Sequence, residues 1–114
     1  MSVQPVRISQ TAWRGATFKK RYAVLQSDGV SAKDLSNYTG RFVVLNVITG
    51  NILLDETTET GGVTLTSDGA VVITIADEIT ETLPWNAGVY KLFLTDANGD
   101  TDLVLHGSFK VKKQ

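Results

Sequence analysis

Apolar and polar residues alternate along most of this chain, and small polar turns break the alternation roughly every ten residues. The turn signals are Ser27-Asp28-Gly29, Thr49-Gly50-Asn51, Gly61-Gly62, Ser67-Asp68-Gly69 and Asn98-Gly99. The runs between them are rich in Val, Ile, Thr, Phe and Tyr. From about Thr17 to Gln26, Phe18, Tyr22 and Val24 share one strand face and Lys19 and Arg21 the other. Leu35 and Tyr38 lead into a strand over Arg41 to Ile48, whose Phe42-Val43-Val44-Leu45 segment is apolar on both faces. Such a strand is either central and covered on both sides, or offers one face to a partner. Ile52 to Leu54 form its hairpin partner, and Val63 and Leu65 a short strand. Val71, Ile73 and Ile75 mark the next strand, and Tyr90, Leu92 and Leu94 another. The Asp96 to Asp100 turn then closes a hairpin onto Leu103, Leu105, Phe109 and Val111. One helical turn fits, with Asp77 as its cap, Glu78 and Glu81 in its N-terminal half and Pro84 ending it.

These elements predict an all-β fold: an antiparallel Ig-like sandwich of about eight strands with at most one short helical turn. Residues 1–14 read as an N-terminal arm and 15–114 as a single sandwich domain. The length of 114 residues suits one core without staples.

Composition narrows the function. The 42% hydrophobic content favours collapse over disorder, and a net charge of -1 lacks the basic excess of a general nucleic-acid binder. With no cysteine, disulfides, thiolate chemistry and cysteine-based zinc sites are excluded together. That fits synthesis in a reducing cytosol. No run approaches the roughly 18 apolar residues of a membrane span. Met1 to Gln10 holds no signal-peptide core, as expected of a mature protein starting at its own initiator.

Candidate chemistry is sparse. Asp96, Asn98, Asp100 and Asp102 carry oxygens at alternate positions, like the first half of an EF-hand loop. The second half departs: Thr101 stands where the sharp-turn glycine belongs, and Gly107 where the bidentate glutamate belongs. A plain Asn-Gly hairpin is therefore preferred over a weak calcium site, and no cofactor is expected. His106, the only histidine, lies in an alternating strand with no evident charge partner, which favours a surface role over general-base or metal work. Asp77, Glu78 and Glu81 cluster as helix-dipole complements rather than as a glycosidase pair. In a strand Lys19, Lys20 and Arg21 point to alternate faces and form no continuous patch. Neither a nucleophile elbow nor a phosphate loop occurs. An enzyme is not expected. Trp13, Val43, Leu45 and Trp85 are the interface candidates, the two indoles serving either as anchors or as caps on the core.

An ordered set of segments carries a resemblance. Gly15-Ala16-Thr17-Phe18 comes first, then Asp34-Leu35-Ser36-Asn37-Tyr38-Thr39, Gly61-Gly62-Val63-Thr64-Leu65 and Asp68-Gly69-Ala70-Val71-Val72-Ile73-Thr74-Ile75. Gly88-Val89-Tyr90-Lys91-Leu92-Phe93-Leu94 and Leu105-His106-Gly107-Ser108-Phe109-Lys110-Val111 close it. The set resembles the small β-sandwich module of tailed bacteriophages, found as short stand-alone virion proteins and as the N-terminal domain of baseplate upper and fibre-type proteins. That family repeats G-x-x-F, D-L-[TS]-G-Y-T, G-x-Y-x-x-x-L and a closing G-x-x-x-V in this order. Two positions depart: Asn37 replaces a glycine, where a left-handed backbone is tolerated by Asn, and Leu92 replaces an acidic residue, pointing to extra burial.

The resemblance implies a non-enzymatic structural role in a virion made in the host cytoplasm. The protein would dock onto tail, baseplate or capsid as an adaptor, fibre anchor or decoration piece, in several copies and against other phage structural proteins. A chain ending at Gln114 would then be a dedicated piece, with Lys110-Val111-Lys112-Lys113 as a basic end. No nucleic-acid or membrane partner is implied. The alternative is a carbohydrate-binding module with Trp13 and Trp85 as stacking platforms.

Overall fold

The computed structural model describes residues 6–24 and 34–113. The Ser27-Asp28-Gly29 turn, the end of the first long strand and the outermost residues of the arm lie outside them. The elements in chain order are β1 (Val6–Arg7), β2 (Gln10–Trp13), β3 (Phe18–Ala23), β4 (Thr39–Leu45) and β5 (Ile52–Thr57). They continue as β6 (Val63–Leu65), β7 (Ala70–Ile75), α1 (Asp77–Thr82), β8 (Ala87–Thr95) and β9 (Thr101–Lys112).

Two sheets face each other. The larger runs β1-β9-β8-β4-β5, with β2 continuing β1 along the same edge of β9, and the smaller runs β3-β7-β6. This is the expected Ig-like sandwich. Alternation dictates the layers, since every second residue of each strand points inward. From the larger sheet come Phe42 and Val44, Tyr90, Leu92 and Leu94, and Phe109 and Val111; from the smaller come Phe18, Val63, Val71, Ile73 and Ile75. Phe109 is the hub, with ring centroids of Phe18, Phe42, Trp85 and Tyr90 at 5.3, 5.8, 5.9 and 6.3 Å. Burying one such ring stabilises the fold by roughly 2–3 kcal/mol. Leu92 is fully buried, as its departure from the acidic pattern suggested.

Four details differ from the sequence reading. The segment read as an arm supplies an edge strand, and it pairs with β9 in parallel rather than antiparallel fashion. No hairpin ties β2 to β9: the chain leaves β2 through a tight turn, Ala16 N–H to Trp13 O at 3.0 Å, and crosses to the smaller sheet. The direction of β2 is therefore free of the hairpin rule. The central strand ends at Leu45, and Val47 and Ile48 belong to the turn that follows. In α1 the N-cap is Ala76, without a side-chain bond, and Asp77 is the first helical residue. Among the described residues only glycines have positive φ, so Asn37 is not left-handed.

Candidate functional site

The outer face of the larger sheet gathers most of the candidate residues. Pairing across β9, β8, β4 and β5 defines rows on that face. One row is His106, Lys91, Val43 and Asp55. The next, toward the β4–β5 turn, is Ser108, Val89, Leu45 and Ile52. On the other side lie Leu103, Phe93, Arg41 and Thr57. A register shift at Val44/Leu45 brings Ile52 opposite Leu45, so the apolar residues continue across two strands.

Val43 and Leu45 thus fall side by side in sequence rows on the face away from the core. Val43 is buried but stands outside the main core cluster, and its cross-strand neighbours are Lys91 and Asp55. Leu45 is half-buried. Trp13 lies on the same sheet, opposite Lys112 on β9, whose ammonium sits 5.9 Å from the indole centroid. Three strand steps, about 14 Å, separate it from β4. Trp85 is elsewhere. Its half-buried ring packs on Phe109, and its indole N–H is buried with no hydrogen-bond partner among the described residues. Arg14 holds that corner closed, donating to the carbonyls of Leu83 and Trp85 and to Asn86 Oδ1.

The sequence reading places the β4–β5 turn at Thr49-Gly50-Asn51; it begins three residues earlier, at Asn46, and the apolar patch it exposes is what that reading missed. Asn46 Oδ1 accepts from the amides of Ile48 at 2.8 Å and Thr49 at 3.1 Å. Gly50 N–H donates to Asn46 O at 2.9 Å, and its φ of 75° supplies the left-handed turn that a side chain would resist. Asn46 N–H closes the hairpin on Asn51 O at 2.8 Å. This well-bonded turn leaves Val47 66%, Ile48 90% and Ile52 55% exposed. Nothing from Leu45 to Leu54 carries a charge. That charge-free run was the available signal, but it was absorbed into a strand reading that extended to Ile48. Scattered exposed aliphatics need no explanation; three at one end of one sheet, beside half-buried Leu45 and Val89, form a patch.

Charge borders the patch. Arg41 grips Asp55 in a fork, Nε to Oδ1 at 3.0 Å and Nη2 to Oδ2 at 2.7 Å. That hydrogen bonding holds the Asp55 carboxyl below the usual carboxylate range. Glu56, turned to the other side of β5, is pushed up by burial and by neighbouring Asp55.

The remaining sequence candidates are structural in their geometry. Asp96 Oδ1 accepts the amides of Asn98 at 2.9 Å and Asp100 at 3.0 Å, and Gly99 turns left-handed at φ 91°. The carboxylate is thus spent on its own turn, and no cluster of three or more metal-ligating side chains occurs among the described residues. His106 stands between Arg7 and Lys91 on the outer face. Asp77, Glu78 and Glu81 are exposed on α1.

No protein-family model and no curated protein sequence matches the chain. Solved structures do match the chain, at low identity. One comes from structure-based photo-crosslinking analyses of multimeric cell-adhesive interactions of VGSC beta subunits; it is 13% identical with a TM-score of 0.48, over 95% of this chain and 92% of that one. Another is Drosophila OTK, extracellular domains 3–5, 16% identical with a TM-score of 0.40, over 96% of this chain and 35% of that one.

Proposed function

We propose that this protein is a non-enzymatic structural component of a tailed-phage particle that works by docking onto other virion proteins. The observation that carries the docking half of the reading is the ordered, uncharged turn that holds Val47, Ile48 and Ile52 in water beside Leu45. A well-bonded turn gains nothing in stability from exposed aliphatics, whereas an interface core is depleted of charge and filled with such groups. The phage half rests on the ordered motifs from Gly15 to Val111.

The carbohydrate-binding reading has less support. It asks Trp13 and Trp85 to stack on one ligand, yet Trp85 packs against Phe109 and only Trp13 is exposed. Mass spectrometry of gradient-purified particles, produced from the genome that encodes the chain, tests the proposal. The protein is expected in the particle fraction at a stoichiometry of several copies. Its recovery only in the particle-free lysate would overturn the assignment.

A further inference from the structure

We infer that the partner of the apolar patch is a second copy of this chain, and that the two larger sheets pack face to face about a two-fold axis parallel to β4. The inference rests on the docking reading above and names the partner and the geometry. It follows from how the outer-face rows map onto themselves.

Two copies facing each other across a two-fold axis along β4 exchange left and right but keep the same end. Lys91, one strand to one side of Val43, then meets Asp55 of the second copy, one strand to the other side. In the neighbouring row Val89 meets Ile52 of the second copy, and Leu45 meets its own equivalent. The turns lie at the same end of both copies, so the two exposed Ile48 side chains come together. Arg41 also approaches its equivalent, and each Asp55 carboxylate then lies between the Arg41 of its own copy and the Lys91 of the other, bridging both. The other in-plane axis, laid across the strands through the Val43 row, fails both tests. It sets Lys91 on Lys91 and Asp55 on Asp55, and it sends the turns to opposite ends, where Val47 and Ile48 remain in water.

Such an isologous contact is the commonest way to close an oligomer. The overlap is modest in size, about 14 Å across the three strands β8, β4 and β5 and about 24 Å along them. A dimer that responds to concentration is therefore expected rather than a permanent one.

Sedimentation equilibrium over a dilution series, on the intact protein, tests it. Wild type is expected to fit a monomer–dimer equilibrium. Ile48→Asp, at a site too exposed to affect folding, should raise the dissociation constant about a hundredfold, because each dimer loses two buried aliphatics. Lys91→Glu, which sets like charges face to face, should raise it about tenfold. The chain has no cysteine of its own, so single-cysteine variants report geometry. Ile48→Cys should cross-link with a short bis-maleimide, and Ser67→Cys, on a turn of the smaller sheet, should not. A monomer at every concentration would overturn the inference, as would a trimer or larger ring, a dimer indifferent to Ile48→Asp, or faster cross-linking through Ser67→Cys. A monomer that is nevertheless recovered in particles would sink the dimer and leave the virion reading standing. A dimer absent from particles would do the reverse.

Discussion

The phenolic hydroxyl of Tyr90 donates to the main-chain carbonyl of Ile8 at 2.5 Å, tying the centre of the core to the first strand. Tyr90 is buried on β8, and the Gln10 side chain also bonds to it. Ile8 N–H meanwhile donates to His106 O at 2.9 Å. The Ile8 peptide is therefore turned partly inward, which interrupts the edge strand between β1 and β2. A buried hydroxyl needs a partner, and here the backbone supplies it at the cost of two ladder residues.

Tyr90→Phe removes that donor and leaves the Ile8 carbonyl without its buried partner. The expected loss is about 1–2 kcal/mol of stability. Because β1 and β2 pair only with β9, amide exchange at Ile8 and Gln10 should accelerate more than exchange within β8. Urea melts and hydrogen-exchange mass spectrometry together decide this. Uniform acceleration across both sheets would show that the bond stabilises the core and not the edge.

Gly107 is the other half of the same contact. A Cβ built there would collide with Ile8 O, and the φ of 152° is one that side chains rarely adopt. Gly107→Ala must push β1 away from β9 or distort β9 itself, so a loss of more than about 3 kcal/mol is expected. Thermal melts read it directly. A near-neutral result would mean that the edge strand departs without consequence for the sandwich.

Alternation was enough to read the sandwich, because a half-buried strand shows its period in the residues themselves: Tyr90, Leu92 and Leu94 against Val89, Lys91 and Phe93. Register and edge pairing were not legible. The parallel seat of β2 depends on which strand lies at the sheet edge, a fact set by residues some hundred positions away. The turn after Leu45 hid for a local reason. Val47 and Ile48 continue an apolar run, and only the side chain of Asn46, bonding back to the amides that follow, turns that run out of the sheet. Of the interface candidates, Trp13, Val43 and Leu45 share one outer face, whereas Trp85 lies on the core side; β4 had signalled its two apolar faces, but an isolated indole before a strand carries no such direction.

The Asp96 turn offers a test by ligand addition. Its first carboxylate already accepts two backbone amides, and a cation would have to compete with both. Millimolar calcium is expected to leave the melting temperature unchanged, since only a ligand of the native state raises it. Asp96→Ala should cost about 1 kcal/mol by releasing the two amides. A calcium-dependent rise in melting temperature that disappears in Asp96→Ala would restore the site.

Acid should weaken the fold, and two carboxylates on neighbouring positions of β5 should respond in opposite senses. The Asp55 carboxyl is held down by the Arg41 fork, so its contribution is present above the ordinary Asp range of about 4 and lost as pH falls through its lower folded value. Asp34, bonded by the Ser36 amide, and Asp68, bonded by Thr66, are shifted the same way. Glu56 is raised by burial, so the fold disfavours its ionised form: it costs stability at neutral pH and is relieved as pH falls through its folded value toward the ordinary Glu range of about 4.3. Three lowered groups against one raised group give a melting temperature that declines as pH falls below about 4. Asp55→Asn should lower neutral stability by about 0.5 kcal/mol, as befits a solvent-exposed pair, and flatten the acid decline. Glu56→Gln should raise neutral stability slightly and steepen the decline, because the relief on protonation is gone. Melting curves of the three proteins across that range separate the two effects, and parallel curves would mean that neither carboxylate is linked to folding.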